Sequence, residues 1–320
     1  VRVEVRSPAR TEELIGHYLP ASRADVDAAV AAAVSAAPGW AATPAAARAL
    51  CLDRAAMALE AQSHALVALL VREAGKTFAA GLDEVREAAD FCRYYAARLR
   101  AGDIDGATPL GPVAAISPWN FPLAIFVGQV VAALAAGNPV LAKPAAQTYL
   151  IADRAVSLLH EAGIPRNVLQ CLPGPGGTLG GALVADPRVA GVLFTGSTEV
   201  ATLIHRCLAA RGDIPLIAET GGLNAMIVDS TALPEQVVAD VLASAFDSAG
   251  QRCSALRLLC VQDEIAERVL ELLDGAMAEL RLGPTDDFAV DIGPVIDHPA
   301  RLQLDAYVDA MRGNRHRVLT

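Results

Sequence analysis

Five polar stretches in this 320-residue chain each follow a short apolar run, and between them they hold the groups that carbonyl or redox chemistry would use. In chain order they are Ser117-Pro118-Trp119-Asn120, Lys143-Pro144-Ala145, Pro173-Gly174-Pro175-Gly176-Gly177, Thr195-Gly196-Ser197-Thr198 and Glu219-Thr220-Gly221-Gly222. They supply an amide, an amine, turns whose backbone N–H groups can face an anion, and a carboxylate. A thiol follows at Cys253, in the polar loop Asp247-Ser248-Ala249-Gly250-Gln251-Arg252. Each group also has a plain structural reading. Lys143 can snorkel from a strand end, Asn120 can serve a turn between prolines, and Glu219 can be a boundary carboxylate in a salt bridge. Cys253 can be a buried, inert thiol. Against that, its loop is polar and Arg252 beside it would favour a thiolate. Gly196-Ser197 is the stronger phosphate candidate, because it joins a strand directly to a helix. Gly174-Pro175-Gly176 falls short of the dinucleotide fingerprint: Leu179 stands at the third glycine position and the next strand closes on Phe194-Thr195 without an acid, so it reads as a glycine turn.

Convergence of these pieces depends on the elements that carry them. Residues 22–100 read as helical throughout. Ser22-Arg23-Ala24-Asp25 looks like a capping box, and Thr43-Pro44 like an N-cap followed by proline at the first helical position, opening a helix that carries Leu50, Met57 and Leu59. After Gly75, Phe78, Leu82, Val85, Ala89 and Cys92 keep helical spacing towards Arg100. Beyond Gly102 short apolar runs appear at Val113–Ile116, Val140–Ala142, Val168–Cys171, Val192–Phe194 and Leu216–Ala218, with amphipathic stretches such as Tyr149–Glu161 and Thr198–Ala210 between them. Strands alternating with helices predict β-α-β units and a doubly wound parallel sheet, an α/β fold with its ligand crevice at the carboxyl ends of the strands. That crevice is where all five polar stretches fall. The division expected is residues 1–220 as one domain, with helices at 22–100 and the parallel sheet at 112–219. Residues 221–320 open a second α/β domain with a strand at Ala225–Val228 and a helix from Pro234 to about Ser248.

Composition narrows the function. The chain is 53% hydrophobic, 19% charged and 4% aromatic, which excludes a disordered protein. A net charge of −10 argues against nucleic-acid or anionic-membrane surfaces. Six cysteines without a C-x-x-C pair point away from a zinc site or disulfide framework, towards a reducing, cytoplasmic setting, and the five other than Cys253 are expected in the core. The charge-free stretch from Gly111 to Ala142 is cut by Pro112, Pro118, Pro122 and Pro139, so it reads as buried strands and a helix and not as a membrane span. The chain opens on Val1 and stops at Thr320 without a helix stop, which reads as part of a longer protein.

Taken together and in order, Pro118-Trp119-Asn120-Phe121-Pro122, Lys143-Pro144-Ala145, Phe194-Thr195-Gly196-Ser197-Thr198, Glu219-Thr220-Gly221-Gly222 and Gly250-Gln251-Arg252-Cys253 resemble the aldehyde dehydrogenase superfamily along essentially the whole chain. Residues 217–230 and 243–257 resemble most the L-glutamate-γ-semialdehyde (Δ1-pyrroline-5-carboxylate) dehydrogenase module of bifunctional proline-utilisation flavoproteins. The resemblance implies NAD(P)-dependent oxidation of glutamate semialdehyde to glutamate. Cys253 would be the nucleophile, with Asn120 and the Cys253 N–H holding the oxyanion. Glu219, as a partly buried carboxyl, would be the base, and Ser254 would meet the substrate's α-carboxylate. NAD would lie along Ile116, Ser117, Pro118, Trp119, Lys143, Ala145, Gly196, Ser197, Thr220 and Gly221, with Lys143 at the adenosine ribose and Gly196 and Ser197 at the pyrophosphate. No metal is implied. A homo-oligomer is implied for the full-length parent, and FAD only where a proline dehydrogenase domain lies upstream.

Three departures qualify the resemblance. Ala146 stands where the family usually has a ribose-binding Glu, which predicts weaker NAD binding and less discrimination against NADP. The stretch between Tyr95 and Pro112 is short where relatives carry an oligomerisation flap. The catalytic domain is incomplete at Thr320, so the 320 residues alone are expected to be poorly soluble or inactive, with exposed core and an unpaired sheet edge. Two other functions stay open at this point: another semialdehyde, such as succinate semialdehyde, or a non-catalytic module that retains the fold.

Overall fold

The structure, a computed structural model, describes residues 2–314 and Val318. It begins with an antiparallel hairpin, β1 (Val3–Arg6) and β2 (Leu14–Tyr18), which the sequence reading did not anticipate. The helical region then divides into α1 (Arg23–Ala41), α2 (Ala45–Ala61), α3 (Ser63–Ala74) and α4 (Phe78–Arg100). The capping box forms: Ser22 Oγ accepts the Asp25 N–H and the Asp25 carboxylate accepts the Ser22 N–H. Thr43 does not cap α2. Its hydroxyl donates back to the Gly39 carbonyl at 3.0 Å, which leaves Pro44 itself as the cap residue. The apolar face of α2 is Ala49, Leu52, Ala56 and Leu59, while Leu50 and Met57 point outward. On α4, Val85, Ala89 and Cys92 are buried and burial pushes the Cys92 thiol up to about 12, but Leu82 is exposed. Gly75 closes α3 at φ +65°, where any side chain would be strained and a Cβ would meet Pro294 at 3.0 Å.

The sheet is built from β3 (Val113–Ile116), β4 (Val140–Lys143), β5 (Leu169–Cys171), β6 (Gly191–Thr195) and β7 (Leu216–Glu219), within a residue or two of the predicted runs. All pairings are parallel and the order is β5-β4-β3-β6-β7. The crossovers are α5 (Ala124–Ala135), α6 (Tyr149–Glu161), the short α7 (Gly181–Ala185) and α8 (Thr198–Ala209). Winding runs outward from β3 through β4 to β5, then restarts on the other side with β6, so the topological switch point lies between β3 and β6. Alternate strand residues feed two cores. Val113, Ala115, Val140 and Ala142 join α2, α4, α5 and α6, while Ala114 and Leu141 join α1, α7 and α8. The charge-free stretch is therefore β3, α5 and β4, buried in the sheet, and among the described residues no helix is long and apolar enough to cross a membrane.

Two buried carboxylates from the helical layer fix the helices at the sheet mouth. Glu84, on α4, accepts the N–H groups of Leu123 and Ala124 at 3.0 and 3.1 Å at the start of α5, and pairs with buried Lys76 at 3.1 Å. Glu73, on α3, does the same at α6 through Leu150 and Ile151, and burial pushes it up to about 7. Unpaired helix N–H groups need such partners when no water reaches them.

After β7 the chain forms β8 (Asn224–Val228), α9 (Pro234–Phe246), β9 (Leu256–Val261), α10 (Asp263–Ala278) and α11 (His298–Gly313). Parallel β8 and β9 pack on α9 and α10 around Val228, Val238, Val241 and Val269. Helix α9 stops earlier than predicted because Ser248 and Ala249 turn left-handed. Cys260, expected in the core, is exposed, because nothing among the described residues covers that side of β9; Ile227 on β8 is exposed likewise. Residues 281–296 run back over the helical layer, where buried Thr285 donates to the Val71 carbonyl.

Candidate active site

A cavity of about 600 Å³ opens at the carboxyl ends of β3, β4 and β6, across the switch point. Ile116, Ser117, Pro118, Trp119, Lys143, Ala145, Gly196 and Ser197 line it, as the sequence reading placed them. Thr220 and Gly221 do not: β7 is the sheet edge, and the chain leaves it towards β8. The glycine turn rejected as a fingerprint does line the cavity. Gly176 to Gly180 form one wide helical turn, and Gly176, Gly177 and Gly180 present backbone to the cavity. Cys207, expected in the core, lines the opposite wall with Val200 and Leu203 of α8.

Chemically, the cavity suits a nucleotide coenzyme. Among the described residues, Lys143 is the one basic residue on its wall and no acid faces it there. Lys143 is only 4% exposed, and burial lowers its amine to about 8. Its Nζ donates to the Pro144 carbonyl at 3.0 Å, leaving further N–H groups for a ligand. Ser117 Oγ is buried without a partner. A Cβ on Gly180 would rest in ordinary van der Waals contact with the Lys143 side chain at 3.6 Å, so this glycine lies directly against the lysine stem. Ser197 caps α8, with its Oγ accepting the Val200 N–H, so the first turn of that helix faces the cavity mouth.

The thiol loop lies beside this cavity. Ser248, Ala249 and Gly250 all have positive φ, at 55°, 56° and 66°; for the two non-glycine residues that conformation is strained and must be held by surroundings. Side chains do the holding. Gln251 Nε2 donates to the Ser248 carbonyl at 3.0 Å and to the Pro294 carbonyl at 3.3 Å, while its Oε1 accepts the Ile296 N–H at 2.9 Å. Arg257 Nη2 donates to the carbonyls of Gly250 and Arg252, and Asn224 Nδ2 to those of Cys253 and Ala255. Asn120 Nδ2 donates to the Gln251 carbonyl at 2.9 Å, which brings the predicted amide to the loop two residues before the predicted thiol. Phe121, next to Asn120, has Lys76 Nζ 4.3 Å and the Arg252 guanidinium 5.9 Å from its ring centre.

Cys253 and Ser254 are exposed. Arg252, expected to favour a thiolate, instead pairs with Asp247. Glu219 is exposed and not partly buried, because it ends an edge strand; its backbone carbonyl accepts the Gly196 N–H at 3.1 Å, beside the Gly196-Ser197 turn. Among the described residues no group of acidic, His or Cys side chains could hold a metal. Sequence reading missed Asn224, Gln251 and Arg257 as loop supports. Only Gln251, inside the loop, had a signal, since an irregular loop must satisfy its carbonyls and its own donors are the first candidates; Asn224 lies 29 residues before Cys253.

Comparison with known proteins gives a consistent picture. Residues 1–320 match the aldehyde dehydrogenase family. "Bifunctional protein PutA" of Salmonella typhimurium is 58% identical over 315 residues, 96% of this chain and 24% of that protein. "1-pyrroline-5-carboxylate dehydrogenase" of Anoxybacillus flavithermus is 36% identical over 321 residues, covering 95% of this chain and 62% of that one. Among solved structures, the 1-pyrroline-5-carboxylate dehydrogenase from Thermus with bound NAD superposes with a TM-score of 0.93 at 33% identity, over 98% of this chain and 64% of that one. A crystal structure of bifunctional proline utilization A gives 0.89 at 53% identity, over 92% and 32%. The chain thus spans about a quarter of the length of the bifunctional relatives it matches.

Proposed function

Since this chain belongs to the aldehyde dehydrogenase family, we propose that it oxidises L-glutamate γ-semialdehyde to L-glutamate with NAD(P) as the hydride acceptor. The observation that carries this reading is the bond from Asn120 Nδ2 to the Gln251 carbonyl, which sets an amide donor against the Cys253 loop at the rim of the coenzyme cavity. Residues 1–220 serve coenzyme binding, and 221–320 contribute the first part of a catalytic domain.

The Cys253 thiolate adds to the aldehyde carbonyl: an Sγ–C bond forms and the carbonyl electron pair moves to oxygen. The oxyanion is met by the second Asn120 Nδ2 hydrogen and by the Cys253 N–H, which makes no hydrogen bond among the described residues. Lys143 and Ser117 would hold the nicotinamide coenzyme, with Gly196 and Ser197 at its pyrophosphate, and when bound it would supply the acceptor for the hydride that leaves this carbon. A thioester on Cys253 remains, and Glu219 takes a proton from the water that hydrolyses it. Glu219 is open to solvent at the end of β7. Ser254, also exposed beside the thiol, receives the substrate's α-carboxylate. A homo-oligomer in the cytoplasm is the setting this reading calls for. In a bifunctional parent, an FAD-dependent proline dehydrogenase would supply the substrate's cyclic precursor.

The test is reduction of NAD and NADP by glutamate semialdehyde, with succinate semialdehyde alongside. A clear preference for glutamate semialdehyde is expected; equal or better use of succinate semialdehyde would overturn the substrate assignment. Coenzyme choice follows from the cavity wall, where Lys143 meets no acid and Ala146 offers neither an acceptor for ribose hydroxyls nor a charge to repel a 2′-phosphate. Ala146→Glu should raise the NAD-over-NADP ratio of kcat/KM by about tenfold, the effect of roughly 1.4 kcal/mol. An unchanged or lower ratio would refute the role of this position.

A further inference from the structure

We infer that Arg257 is a positioning residue for the oxyanion site, acting through the peptide bond between Arg252 and Cys253. This rests on the reading of Cys253 as the nucleophile. Arg257 is the second residue of β9, and among the described residues it pairs with no carboxylate. One guanidinium nitrogen, Nη2, instead donates to two loop carbonyls, Gly250 at 2.8 Å and Arg252 at 3.2 Å. The Arg252 carbonyl also accepts the Ala255 N–H at 3.3 Å.

Peptide planarity turns this grip into an orientation. Across a trans peptide the carbonyl of one residue and the N–H of the next point in opposite directions. Holding the Arg252 carbonyl towards Arg257 therefore aims the Cys253 N–H away from it, towards the side left without a partner. The Gly250 carbonyl is fixed by the same nitrogen, and Gly250 sits in the left-handed run that gives the loop its course. A Cβ at Gly250 would lie 2.8 Å from the Ala245 carbonyl oxygen and 3.5 Å from Arg257 Nη1, so loop and guanidinium are closely fitted. Without the guanidinium, the 252–253 peptide can rotate, and its N–H no longer points where negative charge develops.

Two reactions of the same thiol separate this role from general support of the loop. Acylation of Cys253 by p-nitrophenyl acetate forms an Sγ–C bond, passes through a tetrahedral oxyanion and expels p-nitrophenolate with the bonding electron pair. Alkylation by iodoacetamide displaces iodide at a saturated carbon and develops no oxyanion. Neither reaction needs coenzyme, and each is followed on Cys253 by peptide mass spectrometry in the full-length protein. Arg257→Met should slow acylation about 30-fold, part of the 10²–10³ seen when an oxyanion donor is removed outright, with alkylation changed less than about threefold. Arg257→Lys, whose ammonium can still reach a carbonyl, should recover most of the loss. Equal slowing of both reactions, or no slowing of acylation, would overturn the inference. Failure of the unsubstituted Cys253 to acylate faster than the other cysteines would instead overturn the nucleophile assignment, and this inference with it.

Discussion

Cys253→Ala should lower kcat for aldehyde oxidation by roughly 10⁴-fold or more, because it removes the thiolate that forms the covalent intermediate. The substitution deletes one exposed sulfur from a loop whose conformation is set by Asn120, Gln251, Arg257 and Asn224 through backbone carbonyls, so it opens no cavity and breaks none of those bonds. The melting temperature should therefore stay within about 2 °C of the parent, as for other exposed substitutions away from packing features. Coenzyme binding, measured by fluorescence quenching or calorimetry, should persist, since Cys253 does not line the coenzyme cavity. Residual turnover near the parent rate would show that the chemistry runs elsewhere.

The second large effect belongs to Asn120. Asn120→Ala should reduce kcat by about 10²–10³-fold, the usual consequence of removing one oxyanion donor. It also strips the Gln251 carbonyl of its donor, so thiol presentation suffers as well. Asn120→Asp should not rescue activity: it keeps the shape, but a carboxylate at that point opposes both the Gln251 carbonyl and the developing oxyanion. Rates are read with saturating coenzyme and a series of aldehyde concentrations. An Asp variant as active as the parent would remove Asn120 from the oxyanion site.

Much of the fold was legible because parallel strands buried on both faces read as unbroken apolar runs. Val113–Ile116 and the strand at Val140 match the structure for that reason. Helix faces were less legible in the alanine-rich region. There Ala49 and Ala56 line the core while larger Leu50 and Met57 face out, so side-chain size misleads about direction. The hairpin of β1 and β2 was legible in part: Val3-Glu4-Val5-Arg6 alternates apolar and charged residues at the period of a half-buried strand, but the run is only four residues long and its partner, Leu14–Tyr18, lacks that alternation. In the site, residues at strand ends could be placed from topology alone, which is why Ser117, Lys143 and Gly196 all line the cavity. Thr220 and Gly221 failed the same logic because an edge strand has an open side and the chain can leave it. Gly176 to Gly180 were underrated because a fingerprint was sought where the backbone makes a different turn. Arg257 and Asn224 could not be assigned from sequence, since their partners are carbonyls whose direction depends on left-handed residues with no sequence mark at Ser248 and Ala249.

The most direct test of the account is to trap the covalent intermediate. The Glu219→Gln variant of the full-length protein, mixed with glutamate semialdehyde and NAD and quenched in acid, should accumulate a thioester because the water-activating carboxylate is gone. Peptide mass spectrometry should place a γ-glutamyl group on the peptide containing Cys253 and on no other cysteine, with NADH formed in a burst of about one equivalent per site. A burst with the acyl group on a different residue, or steady turnover at the parent rate with Cys253 unmodified, would contradict the assignment of Cys253 as nucleophile and Glu219 as base.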